Sequence, residues 1–92
     1  MHVTIFIKPP VPDTQREEIE SAVGEALSAR IVGGGMWIDD AGSESDLTVA
    51  VPDGQSIGKI IDSCRGVIEL FSLDAPTSVR LQAADLTFSL VA

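Results

Sequence analysis

Aromatic and basic residues are scarce in this 92-residue chain. It has no Tyr, one Trp and three Phe, and its six Lys and Arg stand against fourteen Asp and Glu, which gives a formal net charge of −8. Proteins bind nucleic acids largely by neutralising phosphates with Lys and Arg, and anionic membrane surfaces attract the same residues. We therefore expect neither nucleic acid nor a membrane as a partner. The charge favours a basic partner or simple solubility.

Groups that support catalysis are equally scarce. The only His is His2, beside the N-terminus, and the only Cys is Cys64, on the apolar stripe of a predicted helix. A thiol nucleophile needs a base within hydrogen-bonding reach, whereas a Cys on an apolar stripe behaves as a small buried hydrophobe. A single Cys also excludes an internal disulfide framework, and no secretory signal or membrane-spanning apolar run is present. These features predict a cytoplasmic, non-enzymatic protein without a cofactor or metal.

Hydrophobic periodicity predicts one domain over residues 1–92. Alternating apolar residues indicate strands at His2–Lys8, Ala29–Asp39 and Leu47–Val51 and around Val79–Leu81. Apolar residues at helical spacing predict helices near 15–28 and 56–71, and Thr14 and Glu17 have the spacing of a capping box at the start of the first. The order predicts an α+β, ferredoxin-like βαββαβ sandwich. Right-handed crossovers place both helices on one face of its antiparallel sheet, with strands one and three central and strand two at an edge.

The C-terminal tail alternates on the opposite parity. Its apolar residues Leu86, Phe88 and Leu90 are even-numbered, whereas Val79 and Leu81 are odd-numbered. A shift of one residue reverses the face of a side chain, so residues 83–85 must form a turn or bulge. The tail is therefore either an extra C-terminal strand or an arm that pairs with a second subunit in a homodimer.

The glycine run and the acidic segment after it allow several interpretations. Gly33, Gly34 and Gly35 lead into a strand-like segment and not into a helix, so a bulge or twist in an edge strand is favoured over a phosphate-binding loop. The segment 39–45 reads as a polar hairpin loop. The acidic residues in and beside it are Asp39, Asp40, Glu44 and Asp46. They do not have EF-hand spacing, so a cation site is less favoured than a group of solvated carboxylates, which would steer a basic partner.

An apolar patch on the open face of the sheet is a further binding hypothesis. If Val32, Met36 and Ile38 face the helices, then Ile31 and Trp37 lie on the opposite face, near Phe6 of the first strand. Exposed aromatic residues on an open sheet face mark contact surfaces. Phe6 and Trp37 are therefore candidate partner-binding residues. The alternative is that the fifth strand or a loop covers them.

The segment from Gly33 through the acidic loop to Val51 resembles a hairpin of small, acidic, ferredoxin-like bacterial proteins of unknown function. In kind, the chain is also similar to the small acidic immunity proteins that bacteria pair with secreted toxins. That resemblance implies a protein-binding role and assigns no catalytic or binding residue.

Three classes of function follow. The first is a non-catalytic protein-binding module, in one form an immunity-type inhibitor of a basic toxin. The second is a small-molecule-sensing regulatory domain that acts as a homodimer. The third, a small plait enzyme with a pocket between sheet and helices, ranks last because such chemistry generally needs an interior His, Tyr or Asp.

Overall fold

A five-stranded antiparallel sheet with two helices on one face forms the domain. The computed structural model describes residues 1–39, 42–71 and 78–90. The elements in chain order are β1 (His2–Lys8), α1 (Asp13–Leu27), β2 (Arg30–Asp39), β3 (Gly42–Ala50), α2 (Ile57–Leu70), β4 (Ser78–Ala83) and β5 (Leu86–Ser89). The strand order across the sheet is β2-β3-β1-β4-β5. The predicted ferredoxin-like α+β fold with an extra C-terminal strand is confirmed, with β1 and β3 inside the sheet and β2 at its edge.

The core lies between the sheet and the helices. Alternate residues of β1, β3 and β4 are buried on the helix side, among them Ile5, Leu47 and Leu81. They pack against the apolar stripes of the two helices, represented by Ile19 and Ile60. Burying each large aliphatic side chain contributes about 1.5–3 kcal/mol, so this face fixes the register of the central strands.

The start of α1 differs from the prediction. The helix begins at Asp13, the N-cap is Pro12, and no side chain caps it. The first intrahelical bond runs from the Arg16 N–H to the Pro12 carbonyl, 2.9 Å away. The predicted capping box of Thr14 and Glu17 is wrong, because Thr14 lies inside the first turn, where it cannot act as the N-cap.

The second strand continues through the glycine run. The pairing of β2 with β3 shifts by one residue between Ile31 and Gly33, which confirms the predicted bulge. The bulge changes the parity of the strand, so Ile31 pairs with the buried Val49 and lies on the helix side, beside Gly24 of α1. The prediction that Ile31 lies on the open face is therefore wrong.

The hairpin between β2 and β3 is shorter than predicted. β3 begins at Gly42, and its residues 43–45 pair with residues 36–38 of β2. The predicted loop over 39–45 is wrong because a polar sequence at the end of an edge hairpin still forms main-chain ladder bonds. Glu44 and Asp46 are strand residues.

The C-terminal tail forms the fifth strand. It pairs with β4 of the same chain through a two-residue turn at Ala84 and Asp85, whose φ values are 50° and 63°. Two central residues with positive φ define the tight turn that matches the twist of a hairpin. The predicted change of direction at 83–85 is confirmed.

Candidate functional site

Two rows of residues cross the face of the sheet opposite the helices. The first is uncharged and runs, strand by strand, through Gly33, Thr48, Thr4, Gln82 and Thr87. The second is partly charged and runs through Gly35, Asp46, Phe6, Arg80 and Ser89. In the uncharged row, the hydroxyl oxygens of Thr4 and Thr48 lie 2.9 Å apart. This open face is therefore mainly a polar, hydrogen-bonding surface.

Phe6 lies beneath a charged pair. The guanidinium carbon of Arg80 lies 5.1 Å from the centre of the Phe6 ring, a cation–π distance. The same guanidinium contacts Glu44, with Nη2 2.6 Å from Oε2. Phe6 is half-buried under this pair, so the part of the predicted apolar patch that the structure describes is shielded by charge from its own chain.

The acidic residues of the hairpin are arranged differently from a freely charged loop. Asp46 lies opposite Phe6, and the Glu44 side chain is only 17% exposed and paired with Arg80. The structure thus brings Phe6, Glu44 and Asp46 together on the open face. The backbone of Trp37 pairs with Glu44 and that of Asp39 with Gly42. The side chains of Trp37 and Asp39, and all of Asp40, lie outside the described part.

The solvent-facing side of α1 carries three glutamates, of which only Glu17 lies near the basic side chain of the same helix. An open groove along this helix is lined by Thr14, Glu17, Glu18, Ser21, Ala22 and Glu25. These positions recur at three and four residues, so they share one face, away from the buried stripe at Ile19, Val23 and Leu27. We call this surface the α1 acidic face. The same spacing is readable in the sequence, where these glutamates lie largely off the apolar stripe.

The only basic residue of α1 is withdrawn from that surface. Arg16 is buried, its Nη1 lies 3.5 Å from Glu20 and its Nη2 lies 3.7 Å from Glu17. It packs over Gly34 of β2, where a Cβ atom would lie 2.5 Å from the Arg16 Nη1. Its Nε has no hydrogen-bond partner among the described residues. Arg16 therefore weakly offsets Glu17 and leaves Glu18 and Glu25 without a cation from their own helix.

Cys64 is buried in the core, as the sequence predicts. Burial disfavours the thiolate and raises the pKa of Cys64 from 9.0 to about 11. Such a thiol is protonated at neutral pH and is a poor nucleophile or metal ligand. Within the described ranges, no three His, Cys, Asp or Glu side chains are grouped closely enough to hold a metal ion.

In the part of the chain that the structure describes, no helix combines the length and the apolar character that crossing a bilayer requires.

Known proteins share the fold at low sequence identity. No protein family model matches the chain, and no curated protein matches it. A formyltetrahydrofolate deformylase from Pseudomonas putida KT2440 superposes with a TM-score of 0.58 at 10% identity, over 90% of this chain and 29% of the deformylase. A phage SAM lyase in complex with S-methyl-5'-thioadenosine superposes with a TM-score of 0.52 at 16% identity, over 99% of this chain and 88% of the lyase. The chain thus spans less than a third of the first protein and most of the second, and these similarities establish its fold.

Proposed function

We propose that this chain is a non-catalytic protein-binding module that holds a basic partner against the α1 acidic face. The observation that carries the proposal is the distribution of charge. The glutamates of this face line one groove, whereas Glu44 on the hairpin is neutralised by Arg80. A groove lined by one sign of charge raises the local concentration of an oppositely charged partner and speeds its association.

The position of Glu25 also supports a binding role. It lies in the last turn of α1, which contains no basic residue. The C-terminal end of a helix carries partial negative charge, so a carboxylate there is unfavourable for helix stability. The position of Glu25 therefore favours a role in binding over a role in stabilising α1.

In its narrower form the proposal is an immunity-type inhibitor of a basic toxin. The net charge of −8 and the protonated, buried thiol support a role without chemistry of its own. A toxin with a cationic active-site cleft is the kind of partner that the α1 acidic face fits. Binding there would neutralise the cleft and block access to it.

A pair of variants with matched charge tests the proposal. The first combines Glu17→Gln, Glu18→Gln and Glu25→Gln. The control combines Asp53→Asn, Asp62→Asn and Glu69→Gln, three exposed carboxylates outside α1. Both raise the net charge by three units, so they change the long-range attraction of the whole protein to the same extent. The measurement is the association rate of a lysine-rich helical peptide at low and high ionic strength.

We expect the α1 variant to slow association about tenfold at low salt and the control about twofold, because charge is focused in the groove. The difference should shrink once the Debye length falls well below about 10 Å. Equal slowing by both variants would show that only net charge matters. If neutralising Glu44 and Asp46 slows association more than the α1 variant does, the binding surface is the hairpin.

A small-molecule-sensing domain that acts as a homodimer is the second candidate function. What favours it is the uncharged row on the open face, where half-exposed Thr4 and Thr48 present hydroxyl groups beside the exposed backbone of Gly33. The phage SAM lyase with this fold, whose structure contains S-methyl-5'-thioadenosine, matches the chain over nearly its whole length.

S-methyl-5'-thioadenosine is therefore the probe for the second candidate. A ligand that binds only the folded domain raises the thermal unfolding midpoint, and a concentration 100 times its Kd adds about 2.7 kcal/mol. Under the protein-binding proposal the probe leaves the midpoint unchanged. A rise that is lost in a Thr4→Val, Thr48→Val double variant would favour the sensing function over the first proposal. Conversion of S-adenosylmethionine by the chain would contradict both.

A further inference from the structure

β2 carries four of the seven exposed large hydrophobic side chains among the described residues. β2 pairs with β3 on one side and is the end strand of the described sheet. Its residues Ile31, Val32 and Met36 are about half exposed, and Ile38 is 72% exposed. A long apolar edge strand is a template for pairing with another strand, and soluble proteins usually protect such edges with charge or a cover.

We propose that this edge pairs with β2 of a second copy of the chain, antiparallel, around a two-fold axis at Gly35. The two sheets then form one continuous ten-stranded sheet with all four helices on the same face. This inference goes beyond the proposed function and does not rest on it, because α1 packs on the helix face and β2 pairs along its edge.

The register follows from geometry. Residues that lie opposite each other in an antiparallel pair must project to the same face of the sheet. The bulge between Ile31 and Gly33 leaves Val32 without a pairing position, so the partner of each residue before the bulge shifts by one residue. With the axis at Gly35, the pairs across the two copies are Gly34 with Met36, Gly33 with Trp37, Ile31 with Ile38, and Arg30 with Asp39.

These pairs are complementary in size and charge. Gly33 and Gly34 each meet a large residue, Gly35 meets Gly35 of the other copy, Ile31 meets Ile38, and Arg30 meets a residue of opposite charge. Two-fold symmetry makes every such contact twice. Moving the axis to Gly34 instead places Arg30 opposite Trp37 and Ile31 opposite Met36, which loses the opposite-charge pairs. The self-complementary register at Gly35 is what identifies a second copy as the occupant of this edge.

Charge reversal tests the register directly. Arg30→Asp alone places like charges opposite each other, and so does Asp39→Arg alone, so each variant should sediment as a 9.7 kDa monomer where the natural chain sediments at twice that mass. An equimolar mixture of the two variants should dimerise again, because one copy then carries two acids and the other two bases at the paired positions. Circular dichroism of each single variant establishes that it is folded.

Apolar edge variants separate this interface from others. Ile38→Glu should abolish the dimer, whereas Leu70→Glu, at the exposed end of α2, should leave it intact. Quenching of the single Trp by acrylamide should be stronger in the Ile38→Glu monomer than in the dimer. Three results would overturn the inference: a natural chain that is monomeric at about 1 mM, a mixture of the charge variants that stays monomeric, or a dimer that dissociates with Leu86→Glu in β5 and not with Ile38→Glu.

Discussion

Gly34 is the one glycine of the run that the packing requires, and Gly34→Ala should destabilise the domain. An added Cβ would lie 2.5 Å from Arg16 Nη1, 2.6 Å from the Asp46 carbonyl oxygen and 2.8 Å from Glu20 Oε2. The arginine and glutamate side chains can move, but the carbonyl belongs to the neighbouring strand. Relief therefore requires β2 and β3 to separate or α1 to lift from the sheet.

The two flanking glycines provide matched controls. At Gly33 and Gly35, an added Cβ meets nothing within 4 Å in the described structure. Alanine there reduces the entropy of the unfolded chain without strain and should stabilise the domain by about 0.4–1 kcal/mol. Overpacking at Gly34 costs about 1–3 kcal/mol, so the two kinds of substitution should differ by about 1.4–4 kcal/mol.

Urea denaturation of the three single variants measures this difference as free energies of unfolding. The order should be Gly34→Ala far below the natural chain, with Gly33→Ala and Gly35→Ala at or above it. If the free energy of unfolding of Gly34→Ala lies within about 0.5 kcal/mol of that of Gly35→Ala, the Asp46 carbonyl and the Arg16 side chain do not crowd Gly34 as described.

Four further changes test other parts of the structure, each by urea denaturation. Replacing Ala84 and Asp85 by Asn and Gly should stabilise the domain by about 1–2 kcal/mol, because both positions have positive φ; no gain would contradict that turn. Ser45→Ala should cost about 1–3 kcal/mol, since its buried hydroxyl accepts the loop N–H of residue 11 at 3.0 Å; a neutral effect would mean that the N–H finds another partner. Glu25→Gln should stabilise the domain by about 0.3–1 kcal/mol and should weaken binding of the lysine-rich helical peptide. A loss of stability would contradict the position of Glu25 in the last turn of α1. The folded-state pKa of Cys64 is raised from 9.0 to about 11, so its contribution to the free energy of unfolding is complete below pH 9 and is lost as pH rises through 11. A Cys64→Ala variant should lack this alkaline loss of stability, and identical stability profiles of the two proteins above pH 9 would contradict it.

The elements that one buried face determines were predictable from the sequence. In β1 every second residue is buried, so alternation at Val3, Ile5 and Ile7 predicts both the strand and its inward face. Cys64 on the apolar stripe of α2 was predicted as buried for the same reason. In each case a local period reports a global property, because exposing the stripe to water would cost several kcal/mol.

The sequence does not predict which face of the sheet a residue of β2 occupies or which residues form ion pairs, because both depend on residues that are distant in the chain. The bulge beside Gly33 moved Ile31 to the helix face, and a bulge is visible only once the neighbouring strand is in place. Glu44 was predicted as a free carboxylate, but Arg80, 36 residues away, neutralises it. The predicted capping box at Thr14 failed because the helix begins at Asp13, one residue earlier, with Pro12 at the N-cap, so Thr14 lies inside the first turn.

The sequence predicts the helical spacing of the glutamates on the α1 acidic face but does not distinguish this face from the acidic hairpin as a binding surface. The glutamates of this face recur at helical spacing, and the buried Arg16 lies near Glu17 and Glu20 but leaves Glu18 and Glu25 without a cation from their own helix. The sequence shows the spacing, and only the fold shows that the cation of the same helix is buried.

The most direct test of the protein-binding proposal is a map of the contact surface. Two-dimensional NMR of the isotopically labelled chain, titrated with the lysine-rich helical peptide, reports which backbone amides change environment. The largest shifts should fall on the exposed positions of residues 14–25 and should disappear when Glu17, Glu18 and Glu25 are neutralised. Shifts concentrated on β1 and β3 around Phe6 and Asp46, with residues 14–25 unmoved, would contradict the proposal.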